Sequence, residues 1–281
     1  MTTAVASPFR FFPLQVARTR RLGPTLVRVT FTGDALHAFH SDGRDQSLSL
    51  FLPRPGQTEP VVPLDLDDDW SRRWRELPQD VRAVMRSYTL RALRRDPDEV
   101  DIDFALHGTE PGAPTPAGPA SRWASRAVPG DRVLLLGPVV ADNRSIRFRP
   151  PEDTDLVVMW GDETTVPAAT AILESLPAGT PVRAWFHVPY AADVQDVRTD
   201  ADAEITWLVR ATGSPEPLTI LREAPLDDAA RPYVWLAGES AHVKALRRHF
   251  VADRGVDRRR VTFVGYWRRG LSEEELRATG E

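Results

Sequence analysis

The chain has 281 residues and a formal net charge of −4, from 36 Lys and Arg against 40 Asp and Glu. It contains no cysteine, which excludes disulfides, cysteine-ligated iron–sulfur clusters and cysteine nucleophiles. The small negative charge gives no sign of nucleic-acid binding, and no apolar run of about 18 residues predicts a membrane span. Residues 1–13 lack the apolar stretch of a signal peptide, so we expect a cytoplasmic protein.

The basic residues are almost all arginine, because Lys244 is the only lysine. Any anion site must therefore be built from guanidinium groups, backbone amides or hydroxyls. The six histidines show no spacing typical of a metal site, and we predict no bound structural metal.

The first half of the chain predicts β structure, with short alternating segments separated by Gly, Pro and Asp turns. These segments are residues 9–18, 25–32, 47–52, 86–93, 100–107 and 132–136. Six such strands indicate a small antiparallel barrel, which we place at residues 1–150. An acidic, tryptophan-rich insert at 64–78 is expected to form a loop and a short helix.

The second half changes to alternating strands and helices. Strands are predicted at 155–160, 182–188, 204–209, 233–237 and 260–266, and helices at 166–176, 218–224 and 240–253. This alternation is typical of a parallel sheet with crossover helices. We therefore predict a second, α/β domain at residues 151–281, after a proline-containing seam at 149–153.

Two motifs in the first half can bind a dinucleotide. Arg86-Ser87-Tyr88-Thr89 places an aromatic ring and a guanidinium on one face of a strand, which suits a flavin ring and a pyrophosphate. In the segment 118–124 (GPASRWA), a helix can begin near Ser121, whose hydroxyl can cap that helix or contact a phosphate. Each motif alone also fits a structural role: an ordinary Arg-Tyr pair, or a capped helix with Trp123 in the core.

Three motifs in the second half follow predicted strands, so they meet at the carboxyl edge of the sheet, where nucleotides bind in such folds. They are 161–168 (GDETTVPA), 237–240 (AGES) and 265–270 (GYWRRG). The threonines of the first motif can cap the following helix and contact a pyrophosphate. Trp267 offers a ring platform, although packing against the other domain is an equal alternative. No G-x-G-x-x-G fingerprint is present.

The ordered set RSYT, DFALHG, GPASRWA, PGDRVLLLGP, GDETTVPA, LAGES and GYWRRG resembles the siderophore-interacting protein family, the FAD-dependent ferric-siderophore reductases. The resemblance runs from about Phe9 to Gly270. It implies a ferredoxin-reductase-like fold, with a six-stranded FAD-binding barrel followed by an NAD(P)H-binding domain. It also implies reduction of ferric siderophores, with iron(II) released in the cytoplasm. Separately, we expect the chain to be a monomer.

The resemblance assigns roles residue by residue. Cofactor contacts fall on Arg86, Ser87, Tyr88, Thr89, His107, Gly118, Ala120, Ser121, Trp123, Gly161, Asp162, Glu163, Thr164, Gly238, Glu239, Tyr266 and Trp267. Siderophore recognition is expected from Arg54, Arg268 and Arg269. No side chain is expected to act as a nucleophile or general base, because the flavin carries the chemistry.

The end of the second sheet strand departs from the family pattern. Family members often carry an acidic residue there, and this chain has His187-Val188-Pro189. Loss of the carboxylate removes an obstacle to a 2′-phosphate, which favours tolerance of NADPH. A different electron acceptor, such as a quinone, free flavin or redox protein, stays open, as does a flavin-bearing siderophore carrier without turnover. A ferredoxin as electron donor stays open too.

Overall fold

The computed structural model describes residues 7–67, 69–109, 116–226, 229–271 and 275. The chain divides into two compact units, the first of Met1–Arg21 and Val27–Ile146 and the second of Leu22–Leu26 and Arg147–Glu281. Within the described ranges, no helix is both long and apolar enough to cross a membrane.

The first unit is built on a seven-stranded antiparallel sheet with the strand order β4-β3-β7-β1-β2-β6-β5. The strands are β1 Phe9–Arg21, β2 Leu26–Thr32, β3 Ser47–Leu52, β4 Val84–Thr89, β5 Ala92–Arg94, β6 Glu99–Ala105 and β7 Arg132–Pro138. The two short helices are α1 Trp70–Glu76 and α2 Pro119–Ala124. The sheet forms a half-barrel, since β4 and β5 are its two edges.

One predicted strand, residues 86–93, is divided into β4 and β5, which is why the sheet has seven strands and not six. The backbone N–H of Leu90 donates to Gln46 O, next to β3, whereas the N–H of Arg91 donates to Asp101 O on β6. The chain therefore changes its pairing partner between these two residues. The break between β4 and β5 falls where this change of partner occurs.

The half-barrel encloses the main core of the first unit, to which alternate residues of each strand contribute. A smaller cluster lies on the other face, where the insert forms α1. Trp70 and Trp74 of this helix pack edge-on against Phe11 and Phe51, with ring centroids 5.6–6.1 Å apart. The tryptophans of the insert thus cover the outer face of the sheet.

The second unit has a five-stranded parallel sheet with the order β10-β9-β8-β11-β12. Its strands are β8 Leu156–Asp162, β9 Pro181–Val188, β10 Asp202–Val209, β11 Pro232–Glu239 and β12 Val261–Trp267. Its helices are α3 Val166–Ser175, α4 Pro217–Glu223 and α5 Ser240–Arg248. A π-helical turn, His249–Asp253, follows α5, so the predicted helix 240–253 is α-helical only up to Arg248.

The central strand β8 has a continuous apolar sequence because both of its faces are buried. Val157 and Met159 pack on the α3 side of the sheet, while Val158 and Trp160 pack on the side of α4 and α5. Both faces are covered, as is usual for a parallel sheet. The predicted succession of an antiparallel sheet and a parallel α/β sheet is confirmed.

Candidate functional site

Strand β4 places the first motif at an edge of the half-barrel. Arg86 and Tyr88 lie on the same face, opposite Leu50 and Leu48 of β3, and both are half-buried. Thr89 is buried and Ser87 is exposed. The Arg86 guanidinium donates to the backbone carbonyl of Met85 at 2.7 Å, which holds it along the strand.

An aromatic cluster joins this strand to β6 and α2. The Tyr88 ring lies 4.3 Å from that of Phe104, the Phe104 ring 5.8 Å from that of Trp123, and Trp123 stacks on Phe31 with an interplanar angle of 8°. Tyr88 and Trp123 are both half-buried, so each packs partly on the core and presents the rest of its ring to solvent. The structure therefore brings the RSYT and GPASRWA motifs together.

The Ser121 hydroxyl does not cap α2, which was one of its two predicted roles. Helix α2 begins at Pro119, whose ring favours a helical φ angle at the first position, and its N-cap residue is Gly118, which has no side chain to cap it. The Ser121 hydroxyl instead donates to Ala105 O and accepts from the His107 backbone N–H, both at 3.3 Å. It thereby ties α2 to the end of β6, where the His107 side chain is exposed.

The outer face of β6 carries charged residues that the sequence analysis did not single out. Glu99, Asp101 and Asp103 alternate along the strand and are all buried. They are held by arginines of β1, β2 and β5: Arg18 on Glu99, Arg28 on Asp103, and Arg94 on both Glu99 and Asp101, at 2.5–3.0 Å. We call these six residues the β6 ladder. The period-2 spacing of its acids was the available signal.

In the second unit, Asp162 organises the carboxyl edge of the sheet. One carboxylate oxygen accepts from the Thr164 N–H and hydroxyl at 3.0 and 2.5 Å. The other accepts from the Glu239 N–H and the Trp267 indole N–H, both at 2.8 Å. Asp162 thus links the ends of β8, β11 and β12 and fixes the Trp267 ring. Both of its oxygens are used by hydrogen bonds within the protein.

Two opposing effects act on the pKa of Asp162. Burial and the adjacent charge of Glu163 raise the pKa of Asp162 to about 6, while hydrogen bonds from Thr164 and Trp267 oppose that rise. Four donors converge on the two oxygens, and hydrogen bonds of this kind favour the ionised form. We therefore treat Asp162 as a carboxylate at neutral pH.

Glu239 and Gly238 close the same edge. The Glu239 carboxylate caps α5 by accepting from the N–H groups of Ala241 and His242 at 2.7 and 3.1 Å, and it accepts from the Arg269 N–H at 3.4 Å. Gly238 has φ +132°, and a Cβ there would lie 2.6 Å from an Asp162 oxygen. Only glycine suits this position.

The threonines after β8 do not cap α3 with their side chains. Thr165 is the N-cap residue without a side-chain cap bond, and its hydroxyl donates to Asp162 O at 2.8 Å. The Thr164 hydroxyl is used by the Asp162 carboxylate. A Cβ on Gly161 would overlap the Thr165 hydroxyl, which explains the glycine at this strand end.

Arg210, the first residue after β10, was missed by the sequence analysis. Its guanidinium donates to Glu163 at 2.7 Å. Burial opposes the charge of Arg210, but the Glu163 hydrogen bond and nearby acidic charges, including Asp193, outweigh it and raise the pKa of the guanidinium. Its position directly after an apolar strand of the parallel sheet was the signal that could have found it.

His187, the residue that replaces the expected acid, is buried at the end of β9 beside the Trp160 ring. Burial, and then the charges of Arg210 and His242, lower the pKa of His187 to about 4. It is therefore neutral at pH 7. His242 lies 3.1 Å from Glu216, which is exposed.

The three predicted siderophore-binding arginines are divided between the units. Arg54 is half-buried in the first unit, and its Nε donates to Arg82 O at 2.9 Å. Arg268 and Arg269 are exposed after β12 of the second unit. Tyr266 packs partly against the core cluster on the α3 side of that unit.

Known proteins resemble the chain over nearly its whole length. Residues 15–142 match the family model of the siderophore-interacting FAD-binding domain, and residues 154–270 match that of the siderophore-interacting protein. The ferric vibriobactin reductase ViuB of Vibrio cholerae is 30% identical, covering 94% of this chain and 93% of its own. The NADPH-dependent ferric-chelate reductase of Escherichia coli is 32% identical, covering 94% and 95%.

Solved structures agree with these sequence matches. The siderophore-interacting protein SipS from Aeromonas hydrophila superposes with a TM-score of 0.75 at 34% identity and covers 96% of each chain. The ferredoxin reductase in carbazole 1,9a-dioxygenase has a TM-score of 0.64 at 16% identity over 94% of this chain and 71% of its own. That second likeness shows the fold alone and confirms the ferredoxin-reductase-like prediction.

Proposed function

This chain belongs to the siderophore-interacting protein family, and we propose on that premise that it is a flavin-dependent reductase of ferric siderophores that takes electrons from NAD(P)H. The observation that carries the proposal is the joining of the RSYT strand to β6 and α2 through Tyr88, Phe104 and Trp123. These segments lie inside the region that matches the FAD-binding family model.

The residues of the first unit fit FAD. The half-buried Tyr88 ring is suited to pack against a flat isoalloxazine, and the Arg86 guanidinium on the same face is suited to a pyrophosphate. A Cβ on Gly118 would meet no atom within 4 Å, so the backbone at the start of α2 is open to a ligand. We assign FAD binding to 86–89, His107, Gly118, Ala120, Ser121 and Trp123.

We assign the nicotinamide cofactor to the carboxyl edge of the second sheet, which agrees with where nucleotides bind in open α/β folds. Thr164, Gly238 and Tyr266 flank this edge, and the buried Gly161, Asp162, Glu163 and Glu239 shape it, with Trp267 held in place by Asp162. We assign siderophore recognition to the exposed Arg268 and Arg269 in the second unit, and to Arg54 in the first unit. An anionic ferric siderophore would be attracted by such cations.

The chain's own residues bind and orient, and none is placed as a nucleophile or general base. FAD, when bound, supplies the conversion between a two-electron donor and a one-electron acceptor. The substrate Fe(III) becomes Fe(II), which hard oxygen ligands hold less tightly, and the iron leaves. We place this reaction in the cytoplasm. A monomeric state, and a ferredoxin as alternative donor, stay predictions.

The test begins with flavin binding and anaerobic redox titration. We expect the protein to bind FAD, the flavin absorption to bleach with NADPH, and the colour to return on addition of ferric hydroxamate or catecholate siderophores. Arg86→Ala should raise the Kd for FAD about tenfold or more, since a charge-assisted hydrogen bond contributes about 1.5–3 kcal/mol. Arg132→Ala, an exposed arginine at the start of β7, is the matched control.

Three results would contradict this function. A protein without affinity for FAD would remove the flavin proposal altogether. A flavoprotein that binds ferric siderophore but is never reduced by NADPH or NADH would be a carrier. A reduced protein that passes electrons to quinones or oxygen, yet leaves ferric siderophores unchanged, would be a reductase of another acceptor.

A further inference from the structure

The ion pair of Arg210 and Glu163 spans the end of β9. Glu163 directly follows β8 and Arg210 directly follows β10, and these strands flank β9 on its two sides. Two strand spacings amount to about 10 Å, a distance that the long arginine side chain bridges to reach Glu163 at 2.7 Å. The pair therefore lies over His187 and Val188, where dinucleotide-binding folds place the residue that reads the ribose.

The two partners differ greatly in accessibility. The Arg210 side chain is 44% exposed, whereas that of Glu163 is 3% exposed. Among the described residues, the guanidinium makes only the one hydrogen bond to Glu163, and arginine carries five N–H donors. A ligand that approaches this strand end therefore meets a positively charged fork, with the carboxylate behind it.

Among the described residues, no other titratable group at this edge forms an ion pair with Arg210. His187 is neutral and buried. Asp162 and Glu239 use their oxygens on donors within the fold. Asp193 is fully buried and accepts the Thr25 N–H at 2.8 Å, and the exposed Glu216 is directed to His242.

We propose that Arg210, held in place by Glu163, binds the 2′-phosphate of the adenosine ribose and makes this chain select NADPH over NADH. The inference rests on the proposed function, because it needs the nicotinamide cofactor to bind at this sheet edge. A guanidinium fork is suited to a phosphate, and in related folds an arginine near this strand end accommodates the 2′-phosphate. Glu163 is a positioning residue, since it is too buried to meet the ligand itself.

Binding of nucleotide fragments tests the proposal without any redox step. Calorimetric titration of the FAD-loaded protein should give a Kd for adenosine 2′,5′-bisphosphate at least tenfold lower than for adenosine 5′-monophosphate. Arg210→Gln should raise the first Kd about tenfold to hundredfold, which corresponds to a hydrogen bond to a charged group. The second Kd should change less than about threefold.

Arg183→Ala is the matched control. Arg183 lies on the adjacent strand β9 and is likewise paired with a glutamate, Glu204, at 3.0 Å, but it sits near the opposite, amino end of the sheet. This variant should bind both fragments like the wild type. Arg210→Lys keeps a charge without the fork, so it should lie between wild type and Arg210→Gln, and it serves if Arg210→Gln fails to fold.

Catalytic rates give the second readout. Arg210→Gln should raise the KM for NADPH about tenfold or more, and leave kcat and the KM for NADH within about threefold. Equal binding of the two fragments by the wild type, or an unchanged NADPH preference in Arg210→Gln, would overturn the proposal. Either result can occur while ferric siderophores are still reduced, so the proposed function would survive it.

Discussion

Buried carboxylates occur in both units, but their surroundings differ. On the β6 ladder, Asp101 accepts two hydrogen bonds from Arg94 and one from Thr30, and Glu99 is shared by Arg18 and Arg94. At the edge of the second sheet, Glu163 accepts from Arg210, whose guanidinium makes no second hydrogen bond among the described residues. Arg94 uses Nε and both Nη atoms on two carboxylates, whereas Arg210 keeps donors that a ligand can use.

The electrostatic consequences follow the same division. Hydrogen bonds from Arg18 and Arg94 lower the pKa of Glu99 against the effect of burial. Burial acts to raise the pKa of Asp101, but hydrogen bonds from Arg94 and Thr30, with the charges of Arg94 and Arg28, lower it. In the second unit, burial and a neighbouring acid instead raise the pKa of Asp162, and burial lowers that of His187. Groups whose pKa is shifted against their usual charge state cluster at functional sites.

The largest expected effect comes from breaking the ladder. Asp101→Ala removes the acceptor of Arg94 and Thr30 and a negative charge 3.8 Å from Arg28, and removing one partner of a buried ion pair costs about 3–5 kcal/mol. We expect the urea unfolding midpoint of the first unit to fall accordingly. Glu76→Ala removes an exposed partner of Arg72 and should leave the midpoint unchanged. A small effect of Asp101→Ala would mean that the ladder is solvated.

A second change attacks the edge of the second sheet. Gly238→Ala places a Cβ 2.6 Å from Asp162 at a φ of +132°, so backbone strain and steric overlap together should cost about 3 kcal/mol. We expect weaker nicotinamide binding with FAD binding retained. Gly213 also has a positive φ, +79°, but open space around it, so Gly213→Ala should cost about 1–2 kcal/mol from strain alone. Equal costs would contradict the close packing against Asp162.

A smaller effect concerns pH. The pKa of His187 is about 4 in the folded chain and about 6.5 when unfolded, so the unfolded state binds more protons between these values. The stability from neutral His187 is present above pH 6.5 and is lost as the pH falls towards 4, by about 2 kcal/mol between pH 7 and pH 5.

Urea unfolding at pH 5, 6 and 7 checks this sign. His187→Gln should lose about 2 kcal/mol less than the wild type on going from pH 7 to pH 5, whereas His37→Gln, at an exposed histidine, should follow the wild type. Equal slopes for wild type and His187→Gln would show that His187 is accessible to protons in the fold.

The sequence predicted the two sheets because their patterns are local: alternating strands in the first half and buried apolar runs such as β8 in the second. It did not predict the break between β4 and β5. That break arises because the backbone N–H groups of Leu90 and Arg91 donate to different parts of the sheet, which no local pattern shows. Helix α2 begins two residues before Ser121, because Pro119 initiates it.

The sequence predicted the site residues that lie in local motifs. It missed those whose role depends on pairing between residues far apart in the chain. Tyr88, Ser121 and Trp123 could be named from the sequence, and the structure joins their segments through Phe104. The role of Ser121 as a tie to β6, and the meeting of Arg210 with Glu163 across β9, depend on strand order. No local pattern encodes that order.

The most direct test of the central claim is the stoichiometry of iron release. FAD-loaded protein is mixed anaerobically with a limiting amount of NADPH and excess ferric siderophore, and Fe(II) is trapped by a ferrous chelator. NADPH delivers two electrons and each Fe(III) accepts one, so we predict about two Fe(II) per NADPH oxidised. NADPH oxidation without Fe(II), or no NADPH oxidation by the flavin-loaded protein, would contradict the account.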